Sequence, residues 1–219
     1  MKTAAKKLLM TLAGLFMIAL YVSLSMKADI GISAYDALAR TAGLVSGMRM
    51  GTASILFNTL LVIGQAVILG RRTRPKLLLQ FIIIFGFGLL VNLIYYELFA
   101  SWELSGYGWR VLVLFAALEL KALGVLTLFR ADFVCCPIDG FSMELSRKLG
   151  VKYEGVRQAA EGVSLALICA ITLLCGCRWT IREGTIVDAA LIGPLLWLNK
   201  RLFHKLGLSG RGGASAQAM

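Results

Sequence analysis

Residues Leu8–Met26 read LLMTLAGLFMIALYVSLSM and contain no charged side chain. A helix needs roughly 20 mostly apolar residues to cross a bilayer, and backbone groups in lipid must bond to one another, which favours helices over strands. Five further apolar runs of similar length follow: Gly51–Gly70, Leu77–Phe99, Trp109–Phe129, Gly155–Gly176 and Gly184–Phe203. The pattern predicts an all-α polytopic membrane protein with about six transmembrane helices.

The composition leaves little room for any other kind of structure. Hydrophobic residues make up 58% of the 219 positions and charged residues 16%, whereas soluble domains are closer to half apolar and a quarter charged. Residues 1–219 are therefore predicted to form a single membrane domain in contact with the lipid bilayer. The Gly-, Ser- and Ala-rich end, residues 208–219, is expected to be disordered.

Basic residues cluster at the ends of the apolar runs, and the net charge is +11. If the N-terminus is inside, the inside segments carry 16 Lys and Arg residues and the outside segments carry 6. Because cytoplasmic loops are enriched in Lys and Arg, both termini are predicted to be cytoplasmic. This accounts for the charge without nucleic acid, which is not an expected partner. The first run is long for a signal peptide and lacks a cleavage site, so an uncleaved span is expected.

The two halves of the chain are related by a shift of 103 positions. The connector 27–50 then falls on the connector 130–154, so that Asp36 meets Asp139, Gly47 meets Gly150 and Arg49 meets Lys152. Repeat 1 covers about 8–99 and repeat 2 about 109–203. Each repeat has three spans, an odd number, so the second is predicted to be inverted. This architecture is common among secondary transporters, whose site lies at the repeat interface near the midplane.

Each connector contains the signals of a short helix that begins after a break. Ser33 can cap the first with Asp36 at N3, whereas Cys136 holds the cap position of the second, with Pro137 at N1 and Asp139 at N3. Short or broken helices in a membrane are re-entrant or line a cavity, and their N-terminal ends attract anions. Both connectors are predicted to frame one polar chamber. The two aspartates either stabilise the helix starts or contact a ligand.

These residues resemble a known group of membrane proteins. The stretch Gly31-Ile32-Ser33-Ala34-Tyr35-Asp36, the later Gly51-Thr52-Ala53-Ser54, and Cys136-Pro137-Ile138-Asp139-Gly140 are similar to the YczE/YitT-type family of bacterial integral membrane proteins. The first copy has Ala34 where the family usually has proline. The resemblance implies a six-span fold in the bacterial inner membrane and a transport role, without naming a substrate.

Charged side chains inside predicted spans mark further candidate site residues, because such groups usually face the protein interior. Glu119 and Lys121 are two positions apart, so they cannot pair with each other. Glu161 is the predicted partner of Lys121, with Asp139 as the second candidate. Structural ion pairs and a substrate or proton site both remain open for this set. The candidate substrate-binding residues are Asp36, Asn58, Glu119, Lys121, Asp139, Glu161 and Asp188.

Two of these residues occupy equivalent places in the repeat. Asn58 and Glu161 are 103 positions apart, and we expect them to face each other across the two-fold axis. Polar groups at such places act either as contacts between helices or as parts of a site. The glycines Gly51, Gly155 and Gly184 stand at span starts and are predicted to allow close packing.

The sequence indicates no metal site and no cofactor. Five cysteines and the single His204 do not have the spacing of a zinc site, and no nucleophile with a neighbouring base suggests an enzyme. The leading hypothesis is a secondary transporter or permease-like protein for a small organic solute. The alternative is a substrate-binding membrane subunit of a vitamin-type uptake complex with a separate ATPase module. A homo-oligomer or energising subunits are compatible with either hypothesis.

Overall fold

A computed structural model of the protein describes residues 2–70, 76–131 and 136–205. Helices, with no strand, make up the regular structure of these ranges. The first half contains α1 (Lys2–Ala28), α2 (Ala34–Ser46), α3 (Met50–Leu69) and α4 (Lys76–Asn92), which continues as a π-helix over Leu93–Leu98. The second half contains α5 (Tyr107–Ala131), α6 (Pro137–Leu149), α7 (Tyr153–Cys175) and α8 (Glu183–Lys205). The predicted disordered tail, 208–219, and Cys135 lie outside the described residues.

Five of the described helical stretches are long and apolar enough to cross a membrane: Ala5–Ala28, Met50–Leu69, Leu77–Leu98, Tyr107–Ala131 and Tyr153–Cys175. Large apolar side chains on their surfaces, such as Val67, Ile82 and Leu174, are exposed. Apolar surface of this extent is suited to lipid. The chain is therefore a multi-pass membrane protein that contacts the bilayer. The sixth predicted span falls on α8, which is long enough but less apolar.

The short helices α2 and α6 occupy the same place in each half. Both are 13 residues long, and their first residues, Ala34 and Pro137, are separated by the shift that aligns the repeats. At about 1.5 Å per residue each is too short to cross a bilayer. Gly47 (φ 71°) and Gly150 (φ 67°) follow them in the left-handed region, where glycine ends a helix without steric penalty. Both glycines therefore end a short helix in the same backbone conformation.

The chain divides into two compact units, and each unit draws helices from both halves. The first unit comprises Met1–Ser33, Leu93–Val134 and Arg182–Met219. Within it, α5 packs against both α1 and α8, and the π-helix packs against α1. The α1–α5 contact is close because Gly14 and Gly124 face each other, so that a Cβ on either would lie 3.0 Å from the other's carbonyl oxygen. Small residues allow this approach, as they do in many membrane helix pairs.

The segment between α1 and α2 docks on the start of α8 within the first unit. The Gly184 N–H donates to the Ile30 carbonyl at 3.1 Å, and Arg182 forms an ion pair with Asp29 at 3.3 Å. Gly31 has φ 147°, and a Cβ there would lie 2.5 Å from the Thr185 nitrogen. Glycine is therefore required at position 31 both for its backbone conformation and for space.

The second unit comprises Ala34–Asn92 and Cys135–Ile181. Within it, α2 packs against α3 and α7, and α6 also packs against α3 and α7, while α4 covers α3. Gly51 and Gly88 bring α3 and α4 together, and the Gly51 N–H donates to Asn92 Oδ1 at 2.9 Å. The packing role predicted for Gly51 and Gly184 is confirmed. It is wrong for Gly155, because a Cβ at that position would meet no described atom within 4 Å.

We expect Gly51→Ala to destabilise the protein by about 1–3 kcal/mol. The added methyl group would overlap the Gly88 carbonyl oxygen, which is backbone and can move only with its helix. Thermal unfolding of the purified protein in detergent measures the effect. Gly86→Ala on α4 is the matched control, because a Cβ there meets nothing within 4 Å. An equal loss of stability in both variants would contradict the close α3–α4 contact.

Candidate functional site

A buried ion pair joins α5 to α8 in the first unit. Lys121 Nζ lies 2.8 and 2.7 Å from the two carboxylate oxygens of Asp188. The side chains are 16% and 5% exposed, respectively. Tyr21 of α1 donates its hydroxyl to Asp188 Oδ1 at 3.0 Å, and Lys121 Nζ lies 4.8 Å from the centre of the Tyr21 ring. The charge of Asp188 is thus matched by one cation and one further donor.

Tyr21 also connects this pair to the break before α2. The Ser33 N–H donates to the Tyr21 hydroxyl oxygen at 3.1 Å. Tyr21 lies seven residues before the end of α1 at Ala28, which is about 10 Å along a helix. The chain has therefore doubled back along α1 before α2 begins. A backbone N–H at such a position needs a partner, and Tyr21 supplies it.

The predicted pairing of Lys121 with Glu161, or alternatively with Asp139, is wrong. Lys121 pairs with Asp188 because α5 packs against α8, whereas Glu161 lies on α7, which packs against α2 and α6. Glu119, two residues earlier on α5, accepts a hydrogen bond from Asn199 Nδ2 at 2.7 Å. As predicted, Glu119 and Lys121 do not pair with each other.

A second charged cluster lies in the second unit and centres on Arg157, one turn into α7. Its Nε donates to Asp139 Oδ1 at 3.2 Å, and its Nη1 donates to Glu161 Oε1 at 2.6 Å. The Tyr153 hydroxyl donates to the same oxygen of Asp139 at 2.9 Å. Asp139 belongs to the first turn of α6, so this cluster fixes the start of α6 against α7.

Tyr35 lies in the first turn of α2, which packs against α7. Its hydroxyl oxygen is buried and has no hydrogen-bond partner among the described residues. Burial first, and then the negative charge of Asp36, raise the pKa of the Tyr35 hydroxyl above its ordinary value. Arg157 and Cys136 also act on it electrostatically. Tyr35 is therefore a neutral phenol that keeps its proton, beside the starts of both short helices.

Asn58 and Glu161, which the sequence predicts to face each other, each bond to a residue on their own helix. Asn58 Nδ2 donates to Ser54 O and Oγ on its own helix at 2.9 and 3.1 Å, while Glu161 bonds to Arg157. These two i,i+4 pairs are nevertheless equivalent in the repeat, because Ser54 and Arg157 are also 103 positions apart. The same place in the two halves thus carries a neutral pair on α3 and a charged pair on α7.

Four site residues were not singled out in the sequence: Tyr21, Tyr35, Tyr153 and Arg157. Arg157 is one of the 16 basic residues in the segments predicted to be inside, and its spacing of four from Glu161 on an apolar helix indicates an ion pair. The tyrosines carry no comparable signal, because a single tyrosine is usually a packing residue, whether in an apolar run like Tyr21 or in a connector like Tyr35 and Tyr153. Among the described residues, no three His, Cys, Asp or Glu side chains are grouped as metal ligands.

We expect Lys121→Met to destabilise the protein by about 3–5 kcal/mol, because it leaves the Asp188 carboxylate buried without its cation. The double variant Lys121→Met/Asp188→Leu should recover most of the loss, since no charge then remains. Arg147→Gln, which breaks the pair of Arg147 (58% exposed) with Glu144, is the control and should cost below about 1 kcal/mol. Chemical unfolding in detergent measures all three. A double variant no more stable than Lys121→Met would contradict the electrostatic reasoning.

Comparison with known proteins identifies the family of this chain but gives no activity for that family. Neither a curated protein nor a solved structure matches the chain. A family model, described as a family of unknown function (DUF6198), matches residues 5–201. Because this match covers nearly all of the chain, the protein belongs to the DUF6198 family.

Proposed function

We propose that this protein is a secondary transporter for a small organic solute, built from two inverted repeats. The observation that carries the proposal is the arrangement around Arg157 in the second unit. The first turns of α2 and α6, the two equivalent short helices, supply Tyr35 and Asp139 to the same cluster. Polar groups on broken helices from both repeats are typical of transporter sites.

The packing within the second unit supports a two-fold relation between the halves. The shift of 103 positions exchanges α2 with α6 and α3 with α7. A two-fold axis would therefore convert the α2–α7 contact into the α6–α3 contact, and both contacts are present. With three spans in each half, the repeats must point in opposite directions across the membrane.

The sixth span required by this architecture is α8. Its polar residues Asp188 and Asn199 bond to Lys121 and Glu119 of α5 rather than facing outward. Insertion of polar groups into a bilayer costs less when they are paired within the protein. The excess of basic residues in the segments placed inside supports cytoplasmic termini, and the similarity to the YczE/YitT-type family supports the bacterial inner membrane.

We expect the two junctions that follow the short helices to lie on opposite faces of the membrane. Met48 and Val151 are exposed, equivalent in the repeat, and suited to single-cysteine labelling in a cysteine-free background. A membrane-impermeant maleimide should label Met48→Cys in intact cells and Val151→Cys only after permeabilisation. Labelling of both from the same face would rule out the inverted repeat.

Proteoliposomes should accumulate at least one solute from a bacterial metabolite extract under an imposed ion gradient, as measured by mass spectrometry against protein-free vesicles. Arg157→Gln should reduce this uptake at least tenfold, because two carboxylates lose their shared cation and the cluster loses its shape. Arg147→Gln removes a surface Arg–Glu pair instead and should leave uptake unchanged.

Two outcomes of this assay count against the proposal. Wild-type vesicles that accumulate no solute would exclude a transporter that works by itself. Uptake that requires an added ATPase would instead favour the vitamin-type capture subunit considered for this sequence.

A further inference from the structure

The groups around Arg157 that lack partners are hydrogen-bond donors. A guanidinium has five N–H donors, and Arg157 bonds to described residues only through Nε and Nη1. The buried Tyr35 hydroxyl has a proton to donate and no described acceptor. The starts of α2 and α6, beside these groups, add the positive ends of two helix dipoles. A ligand that satisfies such a site must present acceptor oxygens.

The net charge of the cluster sets a second condition for the binding of a ligand. Arg157 already faces the carboxylates of Asp139 and Glu161, so the three groups sum to one negative charge. An anion added to this partly buried site would double that charge, which a low-dielectric surrounding disfavours. If one carboxylate takes up a proton at the same time, the net charge of the cluster returns to its value before the anion was bound.

Glu161 is better placed than Asp139 to take up that proton. Glu161 is 35% exposed and its carboxylate bonds only to Arg157 Nη1 among the described residues. Asp139 is 19% exposed and is held by both Tyr153 and Arg157. Glu161 shares Arg157 with Asp139, and the other titratable groups that act electrostatically on Arg157 or on its neighbour Tyr35 are Tyr153, Cys136 and Asp36.

From these observations we propose that Arg157 and Tyr35 bind the carboxylate of a small organic acid anion, and that Glu161 accepts one proton as it binds. Protonated Glu161 releases Nη1, and the ligand carboxylate takes its place with the geometry that guanidinium favours. Asp139 stays on Nε and keeps the guanidinium in position. This inference rests on the proposed transport function, because it names the class of solute and its coupling ion.

Isothermal titration calorimetry on the purified full-length protein in detergent tests the inference with three probes of the same ring and different charge. We expect sodium benzoate to bind, whereas benzylammonium and benzyl alcohol do not. Titrations in two buffers of different ionisation enthalpy should show about one proton taken up per benzoate, and the affinity should fall as the pH rises. Preferential binding of benzylammonium, or benzoate binding without proton uptake, overturns the proposal.

Three variants separate the roles of the residues. Arg157→Lys keeps the charge without the planar fork and should weaken benzoate binding at least tenfold, whereas Arg147→Lys on the surface should not. Tyr35→Phe should weaken binding several-fold. Glu161→Gln should still bind benzoate, with no proton uptake and no dependence on pH. Benzoate affinity that is unchanged in Arg157→Lys and Tyr35→Phe would place the site elsewhere.

The binding and uptake experiments fail in different ways. Benzoate binding with proton uptake in a protein that transports nothing would overturn the transporter and leave this site intact. Solute uptake that depends on Arg157, in a protein that does not bind benzoate, would overturn this site and leave the transporter intact.

Discussion

The ion pair between Lys121 and Asp188 is the constraint on which the first unit depends. A charged side chain within a membrane span is tolerated only when a partner neutralises it, and here the partner is on another helix, so the pair requires α8 to stay against α5. Tyr21 extends the requirement to α1 and, through the Ser33 backbone, to the point where α2 begins. The need to neutralise Asp188 therefore holds α1, α5 and α8 together and fixes the place where the chain turns back before α2.

The two charged clusters differ in how completely their groups are satisfied. In the first, a single carboxylate receives an ammonium and a phenol, and the charges cancel. In the second, one guanidinium serves two carboxylates, N–H donors remain, and a buried hydroxyl lies nearby without a described acceptor. A cluster with balanced charge is suited to holding helices together. A cluster with surplus charge and surplus donors is suited to exchanging partners, which is what ligand binding requires.

Much of the fold could be predicted from local features of the sequence. Apolar runs locate five membrane helices, and the match of Asp36 with Asp139 and of Gly47 with Gly150 locates two short helices of equal length. Pairing between charges could not be predicted in the same way, because it depends on which helices pack together. Glu161 is as plausible a partner for Lys121 as Asp188 until α5 is known to pack against α8.

Spacing within one helix remained informative where packing was unknown. The i,i+4 relation between Arg157 and Glu161 predicts their contact without any knowledge of how the helices pack. Tyr35 is different, because its importance comes from its burial beside Arg157, which only the packing of α2 against α7 produces.

The unequal pairs at equivalent places, Ser54–Asn58 on α3 and Arg157–Glu161 on α7, bear on the energetics of the alternating access that the proposed function requires. A pair of identical repeats would give the inward-open and outward-open forms equal free energy by symmetry, and both would be equally populated at rest. Because one half carries ionic groups where the other carries neutral groups, the two forms no longer have equal free energy. A transporter built in this way would favour one orientation at rest, before any solute arrives.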